Sequence, residues 1–100
     1  MRTEFHPEAV DEYDWAVSYY AKISPKVAAQ FIEEVERCIQ LAAEAPSRWK
    51  EIRPNVRAKQ ALVFPYQVLY MTVEDRTIIL AVAHEKRDPD YWVHRTNWSS

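Results

Sequence analysis

The sequence predicts an α+β fold in a single small domain: an N-terminal strand, an antiparallel helical hairpin, then three strands in an antiparallel sheet with the helices on one face. Three observations carry that prediction. Apolar residues recur at helical spacing from Ala9 to Ala42. From Val56 onward the pattern changes to short runs rich in Val, Ile, Thr, Tyr and Phe. Prolines at 7, 25 and 46 fall at the joints between these blocks.

Residues 2–6 read as a first strand closed by Pro7. Pro7 then opens a helix, with Glu8, Asp11 and Glu12 in the early turns, where the helix dipole favours acids. Val10, Tyr13, Val17 and Tyr20, with Ala9 and Ala16 alongside, form its stripe, which fades near Ile23. Ser24-Pro25 reads as a cap with proline at the first helical position. The second helix runs to about Ala45 on a stripe of Ala28, Phe31, Val35, Cys38, Ile39 and Ala42, and Pro46 ends it. So short a joint makes the pair antiparallel.

Residues 46–55 read as a loop pinned by Trp49 and Ile52. Three strands follow at Val56–Ala61, Tyr66–Val73 and Thr77–Ala83, with Glu74-Asp75-Arg76 as a polar turn. Pro65 sits at a strand start, where a missing N–H is tolerated. The tail from Asp88 reads as one helical turn around Tyr91–Arg95.

Composition narrows the function classes. The chain has 100 residues, 48% of them hydrophobic and 28% charged, which is globular rather than disordered. It contains no glycine, so no glycine-rich phosphate loop exists. Net charge is −2, so the whole molecule is not a polycation. Cys38 is the only cysteine, which rules out an intrachain disulfide and a thiolate metal cluster. No metal or cofactor is expected. Neither a secretory leader nor a spanning segment is recognisable, so a cytoplasmic location is expected.

Chemistry-bearing residues gather late in the sequence. The apolar run Ile78–Ala83 ends in His84, and Arg87, Tyr91, Trp92 and Arg95 follow closely. Imidazole, guanidinium and aromatic groups at one sheet edge suit phosphates, bases or a partner peptide.

The order of elements resembles the RelE/ParE superfamily of type II toxins. The residues that carry the likeness span roughly 3–95: Phe5-His6-Pro7-Glu8-Ala9 with Asp11-Glu12; Tyr19-Tyr20; Ala28-Ala29-Gln30-Phe31; Pro46, Arg57, Phe64-Pro65-Tyr66 and Tyr70; and Ala81-Val82-Ala83-His84 with Arg87, Pro89, Tyr91-Trp92 and Arg95. The closing block looks more like the ParE branch. That resemblance implies a toxin neutralised by a cognate antitoxin in a hetero-oligomer, with DNA gyrase as the target. The RelE branch implies a ribosome-dependent mRNA nuclease, and Gln67 stands where the nuclease pattern places an arginine. A third reading is a non-toxic relative kept as a binding module.

A metal-free nuclease needs an acid, a base and cations around the phosphorane. His84, Arg87, Arg57 and Tyr91 are the catalytic candidates on that reading. His84 supplies acid or base, Arg57, Arg87 and Lys59 hold phosphate, and Tyr91 and Trp92 stack a base. On the binding reading, Tyr19, Tyr20, Lys59, Trp92, Arg95 and Trp98 are the partner-contacting candidates. Plain structural roles compete with each: His84 as a strand-end residue bonded to backbone or Glu85, Arg87 paired with a nearby acid, and Tyr91-Trp92 as a plug on the sheet.

Overall fold

The computed structural model describes residues 2–98. Strand β1 (Arg2–Phe5) leads into helix α1 (Pro7–Ile23), and α2 (Pro25–Glu44) completes the hairpin. A 3-10 turn (Pro46–Arg48) precedes β2 (Lys50–Arg53), β3 (Val56–Gln60), β4 (Tyr66–Val73) and β5 (Arg76–His84). A second 3-10 turn (Val93–Asn97) closes the tail.

Local chemistry sets the helix limits. The Ser24 hydroxyl accepts from the Lys26 and Val27 N–H groups and caps α2. At α1 the cap is His6, whose Nδ1 accepts the Glu8 N–H at 3.0 Å. Ala9 and Ala16 of α1 are fully buried, as are Phe31 and Ala42 of α2. Together they form the inner faces of the hairpin.

The sheet order is β1-β5-β4-β3-β2. The expected antiparallel meander is present as β3-β4-β5. Two expectations need correcting. The sheet is mixed, because β1 joins it parallel to β5, with Phe5 opposite Ile79. Residues 46–55 are also not simply a loop, since Lys50–Arg53 pairs with β3 as an edge strand. Its sequence, Lys-Glu-Ile-Arg, has one apolar residue and a register irregularity between Glu51 and Arg53, so it carries no alternation to read.

Two cores result. On the helix side, Phe31, Val35 and Cys38 meet Tyr66, Val68, Tyr70, Ile79 and Val82. On the other face Val56, Leu69, Met71, Ile78 and Leu80 are covered by Trp92, with Tyr91 and Trp98 alongside. The tail therefore closes the face that the hairpin leaves open.

Candidate functional site

The site grows from an irregularity in β5. Tyr70 lies opposite Ile79 and Leu69 opposite Ala81, so Leu80 is an extra residue, a β-bulge. At this level β1 has already ended, and β5 would be left with unpaired polar backbone groups. Two side chains take the place of the missing strand. Arg95 Nη1 donates to the Leu80 carbonyl at 2.9 Å. The Val82 N–H donates to Glu12 Oε1 at 3.0 Å. Arg95 Nη2 and Glu12 Oε2 close the circuit at 2.9 Å. Burial alone would lower the Arg95 pKa, but the hydrogen bond and charge of Glu12 outweigh it and hold the guanidinium above its ordinary value.

Beyond this plug, α1 and the end of β5 diverge around a groove of about 490 Å³. Asp11, Glu12 and Trp15 form the α1 wall, Tyr66, Val82 and His84 the sheet side, and Lys86 and Arg87 the rim. The His84 ring stands edge-on to Tyr66 at 5.1 Å. Its Nδ1 accepts the Lys86 N–H at 3.1 Å, which puts the proton of the neutral ring on Nε2. Trp15 is 65% exposed and stacks on the exposed Tyr19 at 5.6 Å. This aromatic shelf extends the groove along α1.

The sequence-predicted residues divide among several places. His84 and Arg87 share the groove. Arg87 is not paired with a nearby acid among the described residues; it lies over the Tyr91 ring at 3.8 Å. Asp90 pairs instead with Arg53. Burial, reinforced by Glu12, pushes the Tyr91 phenol well above its usual pKa. Arg57 is elsewhere, tied by Nη1 to the Trp49 carbonyl at 2.8 Å and to that of Ser47 at 3.4 Å. Lys59 lines a separate depression beside α2. The four catalytic candidates are thus not gathered around one cavity.

Among the partner candidates, Trp92 and Arg95 are only 2% and 4% exposed. They belong to the body of the domain, not its outer surface, because Trp92 seals the second core and Arg95 completes the bulge. Trp98 is half-buried against His6 at 5.5 Å. Tyr20 is half-buried among Phe31, Phe64 and Tyr66. Tyr19 stays accessible. The sequence reading missed Trp15. Its signal was available: Trp15 falls off the buried α1 stripe and one turn before Tyr19, which places both on the same outer face.

Among the described residues no cluster of His, Cys, Asp and Glu is arranged to hold a metal ion, and no helix is long and apolar enough to cross a membrane.

A family model described as the ParE toxin of the type II toxin-antitoxin system, parDE, matches residues 3–89. The fold is similar to a chain of the chromosomal ParDE TA system from P. aeruginosa, with a TM-score of 0.73 and 15% identity, covering 84% of this chain and 95% of that one. At that identity the likeness is one of fold. No curated protein matches the sequence.

Proposed function

This chain belongs to the ParE toxin family of type II toxin-antitoxin systems, and from that premise we propose that it arrests growth by binding DNA gyrase and not by cutting RNA. The family assignment brings with it a cognate antitoxin as partner. One observation carries the choice of binding over chemistry: the acid–base and phosphate-holding groups are dispersed. His84 and Arg87 border the groove, while Arg57 is committed to two carbonyls and Lys59 lines another depression. Gln67 adds no cation, lying opposite Ala83 and Gln60 in the sheet.

On the same reading the antitoxin takes the groove and its aromatic shelf. A segment that folds on binding would lay apolar side chains on Trp15 and Tyr19, with His84 and Arg87 as polar contacts at the rim. Action on gyrase places the protein in the cytoplasm.

Controlled expression without the antitoxin tests the proposal, with DNA supercoiling by purified gyrase as the direct readout. The expected result is growth arrest with filamentation and double-strand breaks, loss of supercoiling on adding the protein, and recovery when the antitoxin is co-expressed. Arrested translation with cut mRNA on ribosomes and unaffected gyrase would instead establish the RelE-like nuclease activity. Normal growth with unaffected gyrase would leave only a binding module.

A further inference from the structure

At the opposite edge of the sheet from the groove, a second depression of about 320 Å³ lies between α2, the Pro46–Arg48 turn and β3. Arg37 enters it from α2, Arg48 from the turn and Lys59 from β3. Trp49 organises the cations: the Lys59 ammonium sits 4.6 Å from its ring and the Arg48 guanidinium 5.0 Å. The indole N–H faces the Leu41 carbonyl at 3.5 Å, which fixes the ring plane. Lys59 also donates to the Gln60 carbonyl at 2.8 Å.

What sets this hollow apart is the gathering of three cations that have no carboxylate partner among the described residues; Arg57 and Arg87 also lack one, but Arg57 is tied to two carbonyls and Arg87 lies over Tyr91. Arg2, Arg53, Arg76 and Arg95 each have a carboxylate partner. Among the described residues no carboxylate lies within ion-pair distance of Arg37, Arg48 or Lys59. The one acid in the wall is Glu34. Its Oε2 faces the Leu62 N–H at 3.4 Å. Three cations converge on a hollow in a protein whose net charge is −2. Guanidinium groups offer paired donors that match phosphate oxygens, and an ammonium adds a compact charge.

We propose that this depression binds a phosphate group, held by Arg37, Arg48 and Lys59 on the Trp49 platform. The same chemistry is presented by the terminal phosphate of a nucleotide and by the phosphodiester of a nucleic-acid backbone. The site is separate from the groove, and its existence does not depend on how gyrase is engaged. A different role for the three cations would be to neutralise the carbonyl end of α2, whose own last turn carries no basic residue. That role predicts a loss of stability on substitution and no effect of phosphate.

The test follows the Trp49 indole N–H by NMR in the isotopically labelled full chain during titration with inorganic phosphate, a mononucleotide 5′-phosphate and a short DNA duplex. Saturable displacement of that signal is expected. Affinity should fall by about tenfold for each arginine removed in Arg37→Gln and Arg48→Gln. Glu34→Gln should raise it, and Lys22→Gln, on α1, should leave it unchanged. A response to inorganic phosphate and mononucleotide alone identifies a terminal phosphate as the ligand. A response that includes the duplex and weakens steeply with salt identifies the backbone. No saturable displacement, or one equally strong in the Arg37→Gln, Arg48→Gln, Lys59→Gln variant, would overturn the proposal. Denaturant unfolding of each variant separates lost binding from lost fold.

Discussion

His6 caps α1 with a ring nitrogen, so the cap depends on protonation. Nδ1 accepts the Glu8 N–H only while the ring is neutral. Burial lowers the His6 pKa from 6.5; Glu8 and Glu12 oppose the shift, while Arg95 and His94 reinforce it. The unfolded chain therefore takes up this proton first as pH falls. The cap contributes fully above 6.5 and is lost as pH drops from 6.5 toward the lowered folded value. His6→Ala should cost about 1 kcal/mol near neutral pH. His6→Asn should keep the cap and remove its share of the pH dependence. Urea unfolding at about pH 7.5 and about pH 5.5 compares them. The Glu12–Arg95 pair makes a larger demand. Removing one member leaves the other charge buried, so Arg95→Met should cost about 3–5 kcal/mol. Glu12→Gln combined with Arg95→Met should cost less than the two singles summed, as a double-mutant cycle on unfolding free energies would show.

Elements were legible from sequence where their periodicity was strong. The apolar stripe of α2, with Ser24-Pro25 before it and Pro46 after it, reproduces the observed helix to within a residue. β4 matches its expected limits, Tyr66 to Val73. β2 was hidden because a four-residue exposed edge strand has no buried face to alternate. The parallel entry of β1 was hidden because strand direction in the sheet is fixed by tertiary pairing. The lining of the candidate groove was half legible. His84 and Arg87 followed from the abrupt end of an apolar run. Trp92 and Arg95 lie buried, and the sequence did not show it because aromatic and cationic side chains serve equally well as covers and as contacts. The bulge at Leu80 that requires Arg95 leaves no local sequence mark. Trp15 and Tyr19 act as a unit of α1. On the proposed antitoxin mode, Trp15→Ala combined with Tyr19→Ala should cost at least about 2 kcal/mol in antitoxin affinity, while unfolding free energy changes by less than about 1 kcal/mol. Calorimetric titration with the antitoxin and denaturant unfolding measure the two quantities.

The whole molecule closes through contacts between its two ends. Glu4 meets Arg76 at 3.2 Å across 72 residues, and Glu8 meets His94 at 2.8 Å across 86. Glu12 and Arg95 are 83 residues apart in sequence. Such contacts require large loops to close before they contribute. Refolding should therefore fall in the millisecond-to-second range typical of non-local topologies, not the microsecond range of helical bundles. Stopped-flow tryptophan fluorescence measures it. Arg95→Met should mainly accelerate unfolding, the outcome expected of a contact across 83 residues that forms after the transition state; an equal slowing of refolding would place it in the nucleus.

The parallel seat of β1 beside β5 has a cost during that slow search. Before Arg2–Phe5 arrives, the longest strand offers a bare, apolar flank to whatever chain is nearest. Another copy of the same molecule can occupy it, so recovery of native protein should drop as the concentration during refolding increases. An excess of a free peptide with the sequence Arg2–Phe5 would compete for that vacancy and restore the yield.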